Sequence, residues 1–188
     1  MEGVYEFSDY INRPEVIGLI YGAKAKYKIC SFSNEEAFSK PIMWGYYANG
    51  FRGVAVEIEV RRKDVKEITY VDKIPRIAGL NHDKNTVEIL TTKLSLWGHE
   101  CEYRFLGEND GNRRKIGNIT ALYFGDPYEN VINQPKITEN SNAIKAYLEL
   151  KNEISRIADG EKIDVRHVKL DAHSVKIENY KVIKMPPD

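Results

Sequence analysis

Hydrophobic positions alternate most cleanly in VAVEIEV, residues 54–60, where Val54, Val56, Ile58 and Val60 are separated by Ala55, Glu57 and Glu59. That period of two predicts a strand. YKICSFS, residues 27–33, is short and carries Ile29, Cys30 and Phe32, which predicts a buried strand. Further strands are predicted at 68–71 (ITYV), 119–125 (ITALYFG), and near 163–170 and 174–184, the last two as a hairpin around Asp171-Ala172-His173. HECEYRFL, starting at His99, predicts a strand with two unlike faces. His99, Cys101, Tyr103 and Phe105 form one, mostly apolar, while Glu100, Glu102 and Arg104 form the other.

A longer period marks the helices. Between Asn140 and Asp159, Ile144, Tyr147, Leu148, Ile154, Ile157 and Ala158 fall on one stripe, with Gly160 at the expected C-cap. From Thr86 to Leu96, Val87, Leu90 and Leu94 are spaced i, i+3, i+7, and Gly98 would end the helix. Pro14 suits a first helical turn, and the apolar segment after it favours helix despite Gly18 and Gly22. Ser33 is placed to cap a helical turn at Asn34-Glu35-Glu36. The aromatic segment IMWGYYANG, residues 42–50, predicts a short helix or turn packed on the core. Asn109-Asp110-Gly111 and Gly125-Asp126-Pro127 are turn signals, and residues 126–139 read as a connector. Helices and strands do not alternate regularly. The expected class is α+β, a single domain over residues 1–188 with a bent, mainly antiparallel sheet and two to four helices.

Composition narrows the function classes. The chain has 188 residues, 42% of them hydrophobic, enough for one folded domain with a sizeable core. Lys plus Arg equals Asp plus Glu at 28 each, so net charge gives no bulk attraction to nucleic acid or an anionic membrane. Cys30 and Cys101 lie in unrelated contexts, which fits a reduced cytoplasmic setting better than a disulfide framework. The start, MEGVYEFSDYINRP, lacks the basic-then-apolar pattern of a signal peptide, and no apolar run reaches membrane-spanning length. The expectation is a soluble cytoplasmic protein.

Several chemistries find no motif. There is no Gly-rich phosphate loop, no His-Glu-x-x-His, no Cys-x-x-Cys and no Gly-x-Ser-x-Gly. His99 and Cys101 could supply two metal ligands, but a packed histidine and a buried thiol fit their apolar face better. No metal site is assigned. The triplets Arg61-Arg62-Lys63 and Arg113-Arg114-Lys115 are candidate phosphate contacts beside predicted turns, although solvated loops account for them as well.

Glu100-x-Glu102-x-Arg104 remains as the candidate site, and the plain alternative is a solvated strand face. Three functional readings stay open. In the first, Glu102 stabilises an oxocarbenium-like centre or holds a ribose hydroxyl, and Glu100 acts as base or substrate contact. Ser31 and Ser33, as Ser-Phe-Ser on an earlier strand, would then help fix a nucleotide. Ser-x-Ser followed by Glu-x-Glu resembles the core of NAD-dependent ADP-ribosyltransferases, although the first-strand arginine or histidine of such enzymes is not evident. In the second, Glu102-Tyr103-Arg104 belongs to a metal-dependent nuclease strand, with Glu57 or Glu59 completing a magnesium site. Arginine in the usual lysine place counts against it. In the third, the three charges form a structural cluster in a non-catalytic binding or regulatory module.

Three stretches taken together resemble a known family: Ile29-Cys30-Ser31-Phe32-Ser33; Met43-Trp44-Gly45-Tyr46-Tyr47-Ala48 with Gly53-Val54 after it; and Lys93-x-x-x-Trp97-x-x-Glu100-x-Glu102-Tyr103-Arg104. In this order they look like the bacterial domain-of-unknown-function family 2971, over about residues 27–183. The strand Ala121-Leu122-Tyr123-Phe124-Gly125 fits the family's continuation. The longer N-terminal part that members carry is not found here, so the chain looks like a short form. Phe51 stands where members often have histidine. The resemblance implies that Trp44, Tyr47, Lys93, Trp97, Glu100, Glu102 and Arg104 form one constellation. It also implies an association with bacterial or phage conflict systems. Under the transferase reading NAD is the substrate, Glu100 and Glu102 are catalytic, Lys93 and Arg104 hold phosphate, and Trp44 and Tyr47 stack on a ring. A protein partner is the expectation if the chain is not an enzyme. The plain reading makes the tryptophans core anchors and pairs Lys93 with a nearby carboxylate.

Overall fold

The computed structural model describes residues 6–7, 14–73, 76–77, 82–128, 134, 137, 141–170 and 175–178. The predicted turn at Asp171-Ala172-His173, most of the 126–139 connector and the predicted strand beyond Glu178 lie outside the described residues. The first half of the chain holds β1 (Glu6–Phe7), α1 (Pro14–Lys24), β2 (Tyr27–Ser33), α2 (Glu35–Phe38), α3 (Pro41–Tyr47), β3 (Val54–Val60), a 3₁₀ turn (Arg62–Asp64), β4 (Val65–Glu67), β5 (Thr69–Val71) and β6 (Arg76–Ile77). The second half holds α4 (His82–Leu90), β7 (Thr92–Leu94), a 3₁₀ helix (Ser95–Glu100), β8 (Glu102–Glu108), β9 (Gly117–Gly125), α5 (Asn142–Gly160), β10 (Asp164–Leu170) and β11 (Val175–Glu178). The class is α+β, as the irregular order of elements implies. No helix among the described residues is long and apolar enough to cross a membrane.

Backbone contacts gather into two compact units, Met1–Ala37 with Val60–Ile116, and Phe38–Glu59 with Gly117–Asp188. In the first, β8 is the central strand of an antiparallel sheet ordered β2-β8-β4. Register pairs Ser31 with Arg104 and Ser33 with Glu102. A second ribbon pairs β5 and β7 in parallel, with Tyr70 opposite Lys93. Helices α1 and α4 pack together, and Ile20, Ala23, Thr86, Ile89 and Leu90 are buried. In the second unit the sheet order is β11-β10-β9-β3. β9 and β10 run parallel, so the chain between them must cross over, and α5 lies in that connection. Trp44, Ala121, Tyr123, Val168 and Val175 form the unit's core.

Several boundaries depart from the periodicity. The helix expected over 86–96 ends at Leu90, because its last turn is satisfied from outside the helix ladder. Thr91 Oγ1 and Thr92 Oγ1 donate to the Val87 and Glu88 carbonyls, both at 2.8 Å, and Arg104 Nη1 donates to the Leu90 carbonyl at 2.7 Å. The chain is then free to enter β7. Asn34, rather than Ser33, caps α2, its Oδ1 accepting from the Ala37 amide at 3.1 Å. The strand expected from His99 begins at Glu102. Residues before it wind as a 3₁₀ helix, and Cys101 takes the left-handed conformation (φ 43°) that turns the chain into β8. Gly160 stays inside α5, and Lys162 carries the positive φ of 56°.

Candidate functional site

Strand β8 presents two faces, as the alternation predicts, but the charged one is the more buried. Arg104 is 1% and Glu102 3% exposed on that face, and Glu100, in the 3₁₀ helix before the strand, is 3% exposed, so the solvated-face expectation is corrected. A side chain that polar is tolerated inside only when each charge is paired and hydrogen-bonded. Arg104 meets that demand on three sides. Its Nε donates to Glu102 Oε1 at 2.6 Å, Nη2 reaches Glu102 Oε2 at 3.4 Å, and Nη1 holds the end of α4.

Lys93 arrives from β7. Its Nζ pairs with Glu102 Oε2 at 2.7 Å and donates to Glu100 Oε2 at closer range. Two carboxylates therefore face two cations, and the group is neutral as a whole. The Lys93 ammonium also lies 5.9 Å from the centre of the Trp97 ring, within cation–π range. Tyr70, in register with Lys93 on β5, accepts the Glu102 backbone N–H at 3.0 Å through its hydroxyl. Sequence reasoning missed Tyr70, whose only signal is its alternate place in ITYV.

The electrostatics follow from these contacts. Burial pushes the Glu102 carboxyl up, but hydrogen bonds from Arg104, Lys93 and Ser31 outweigh it and hold the carboxyl at about 2, against an ordinary 4.5. Burial pulls the Lys93 ammonium down, and the bonds to Glu100 and Glu102 carry it net upward. The Tyr70 phenol is raised by burial and then by the Glu102 and Glu100 charges. A carboxylate held at about 2 is a weak base at neutral pH, and a guanidinium does not give up its proton. Glu102 and Arg104 are equipped to hold charge, not to move protons.

The other expected site residues fall into two sets. Ser31 and Ser33 lie on the same face of the sheet as Arg104 and Glu102, and both are exposed. Trp44 and Tyr47 belong to α3 in the second unit. Trp44 is 3% exposed, stacked on Phe51 at 5.3 Å, edge-on to Phe38, and its Nε1 donates to the Phe38 carbonyl at 2.9 Å. Its expected role as a stacking platform for a ligand is corrected to that of a core anchor, because its ring is already occupied. Tyr47 is 64% exposed. Glu57, a proposed magnesium ligand, accepts from Thr120 and Tyr123 in the second unit. Among the described residues no three His, Cys, Asp or Glu side chains gather to hold a metal ion.

The first unit has a cleft of about 500 Å³, lined by Thr69, Val71, Val87, Thr91 and Thr92, with Lys84 and Glu88 supplying its charges. Alternate residues of a ribbon face opposite ways. Tyr70 and Lys93 face the charged group, while Thr69, Val71 and Thr92 beside them face the cleft. The expectation that Glu100, Glu102 and Arg104 line a cleft is therefore not met at this one. The charged group and the cleft lie back to back on the β5–β7 ribbon. No protein-family model, curated protein or solved structure matches this chain.

Proposed function

We propose that the first unit is a non-enzymatic small-molecule binding module, with the Lys93–Glu100–Glu102–Arg104 group as the frame behind its cleft. One observation carries this reading. Every charge of the group is already matched by an opposite charge and nearly closed to solvent, whereas the open volume lies on the other face of the same ribbon. The cleft volume falls in the range of small-ligand sites. Thr91 and Thr92 spend their hydroxyl protons on helix carbonyls, so their oxygens offer lone pairs. One lysine and one glutamate leave the lining neutral. The fitting ligand is a neutral or zwitterionic molecule that donates hydrogen bonds.

The test is a titration with polyols, zwitterionic amino acids and NAD, followed by backbone amide shifts. Saturable shifts at Thr69, Val71 and Val87, lost in a cleft-filling Val71→Phe variant, are expected. Saturable NAD shifts at Ser31, Lys93 and Glu102, with none at the cleft, would overturn the proposal.

A second reading has its own support. Ser31 is exposed, sits opposite Arg104 and hydrogen-bonds Glu102, which supports the likeness of Ser-x-Ser and Glu-x-Glu to an NAD-binding ADP-ribosyltransferase-like core. The ordered likeness to family 2971, and with it a role in a bacterial or phage conflict system, belongs to this reading. It predicts that NAD raises the melting temperature of the wild type and not of Glu102→Gln.

A further inference from the structure

A second cleft of the first unit, about 390 Å³, lies at the far end of β2 and β8 beside the loop that follows. Its lining is divided by chemistry. Phe105, Cys30 and Ile116 supply apolar surface, with Cys30 paired to Phe105 on the same face of the sheet, and Lys28, Arg113 and Arg114 supply three cations against the single carboxylate of Glu108. Arg114 is engaged, with Asp110 at 2.8 Å and Glu108 at 3.7 Å. Lys28 Nζ donates to the Asn112 carbonyl at 2.9 Å, which ties the loop to β2 and leaves its charge unneutralised by that contact. Arg113 has no ion-pair partner among the described residues.

The apolar side is shaped by Gly107. A Cβ there would lie 2.6 Å from Phe105 Cε1 and 3.1 Å from Cζ. The Phe105 ring is thus laid back against the strand over Gly107, and only a residue without a side chain permits it. This makes the ring part of the cleft wall rather than its filling.

We propose that this cleft binds a small phosphate monoester with an aromatic body. The body would rest on Phe105, Cys30 and Ile116, and the phosphate would bridge Lys28 and Arg113. Lys28 and Arg113, two cations with no carboxylate partner among the described residues, match a phosphate dianion, and guanidinium geometry suits paired phosphate oxygens. This site is independent of the other cleft and of the buried charged group.

The probes are adenosine 5′-monophosphate and phenyl phosphate, with adenosine and inorganic phosphate as their halves, titrated into the whole protein by calorimetry. At least one ester is expected to bind saturably and at least roughly tenfold tighter than either of its halves. Lys28→Ala and Arg113→Ala should each weaken it roughly tenfold, the usual effect of losing one charge-assisted hydrogen bond. Both replace surface side chains, and unchanged melting temperatures would confirm the fold. Gly107→Ala should abolish binding by driving the Phe105 ring into the cleft. Amide shifts should report Ile29, Cys30 and Phe105. No saturable binding of either ester at millimolar concentration, or binding unaffected by Arg113→Ala, would overturn the proposal.

Discussion

Arg104 shows how a single side chain can join two elements. It sits on β8, closes a pair with Glu102 two residues away, and takes the terminal carbonyl of α4. Arg104→Met keeps much of the volume but strips donors from a buried carboxylate and a buried carbonyl. It should lower unfolding free energy by about 3–5 kcal/mol, read by urea denaturation. Arg104→Lys should recover only part of this, because an ammonium cannot reach both Glu102 and Leu90 as a fork does. Cys101 carries a different constraint. Its φ of 43° disfavours side chains branched at Cβ, so Cys101→Val should destabilise by about 1–2 kcal/mol, and Cys101→Gly should be tolerated. The residue types of the charged group were legible in the sequence, since Lys93, Glu100, Glu102 and Arg104 stand close together. Their burial was not, because alternation separates two faces without saying which one is covered. Here β5, β7 and the end of α4 cover the charged face.

Elements with a strong internal period were legible to within a residue or two. β2 and β3 fall where YKICSFS and VAVEIEV place them. The long helix α5 begins after Ser141, whose hydroxyl accepts from the Ile144 amide, two residues from the expected start. Elements that end through tertiary contacts were not legible. The i, i+3, i+7 pattern of Val87, Leu90 and Leu94 continues through the true end of α4, and nothing local reveals that Arg104 waits for the Leu90 carbonyl. Thr92→Val keeps the shape and removes the 2.8 Å bond to Glu88. It should cost about 1 kcal/mol, measured by thermal melting. In the second unit, a Cβ at Gly125 would lie 2.2 Å from the Phe51 carbonyl oxygen. Gly125→Ala must therefore move backbone, and a loss of about 1–3 kcal/mol is expected from overpacking, also read by melting.

For the molecule as a whole, irregular alternation of elements was enough to give the α+β class, but not the grouping of contacts. The two units interleave along the sequence, with breaks after Ala37, Glu59 and Ile116. None of those breaks is marked by a linker composition. The Met-Trp-Gly-Tyr-Tyr segment and the Lys-Trp-Glu-Glu-Arg segment, read together from the sequence, fall in different units. Trp44 serves the core of one, and the charged group frames the other.

The central claim is that the charged group holds the fold. Because the Glu102 carboxyl is depressed to about 2 from 4.5, its stabilising share is full above pH 4.5 and fades as pH falls toward 2. A shift of that size corresponds to about 3 kcal/mol. The measurement is the unfolding free energy of the wild type minus that of Glu102→Gln, from denaturant titrations between pH 7 and pH 2. The expected result is a wild-type advantage of about 3 kcal/mol, flat from pH 7 to pH 5, that shrinks steadily below pH 4.5. Equal stability of the two proteins at pH 7 would contradict the account, and so would a difference unchanged at pH 2.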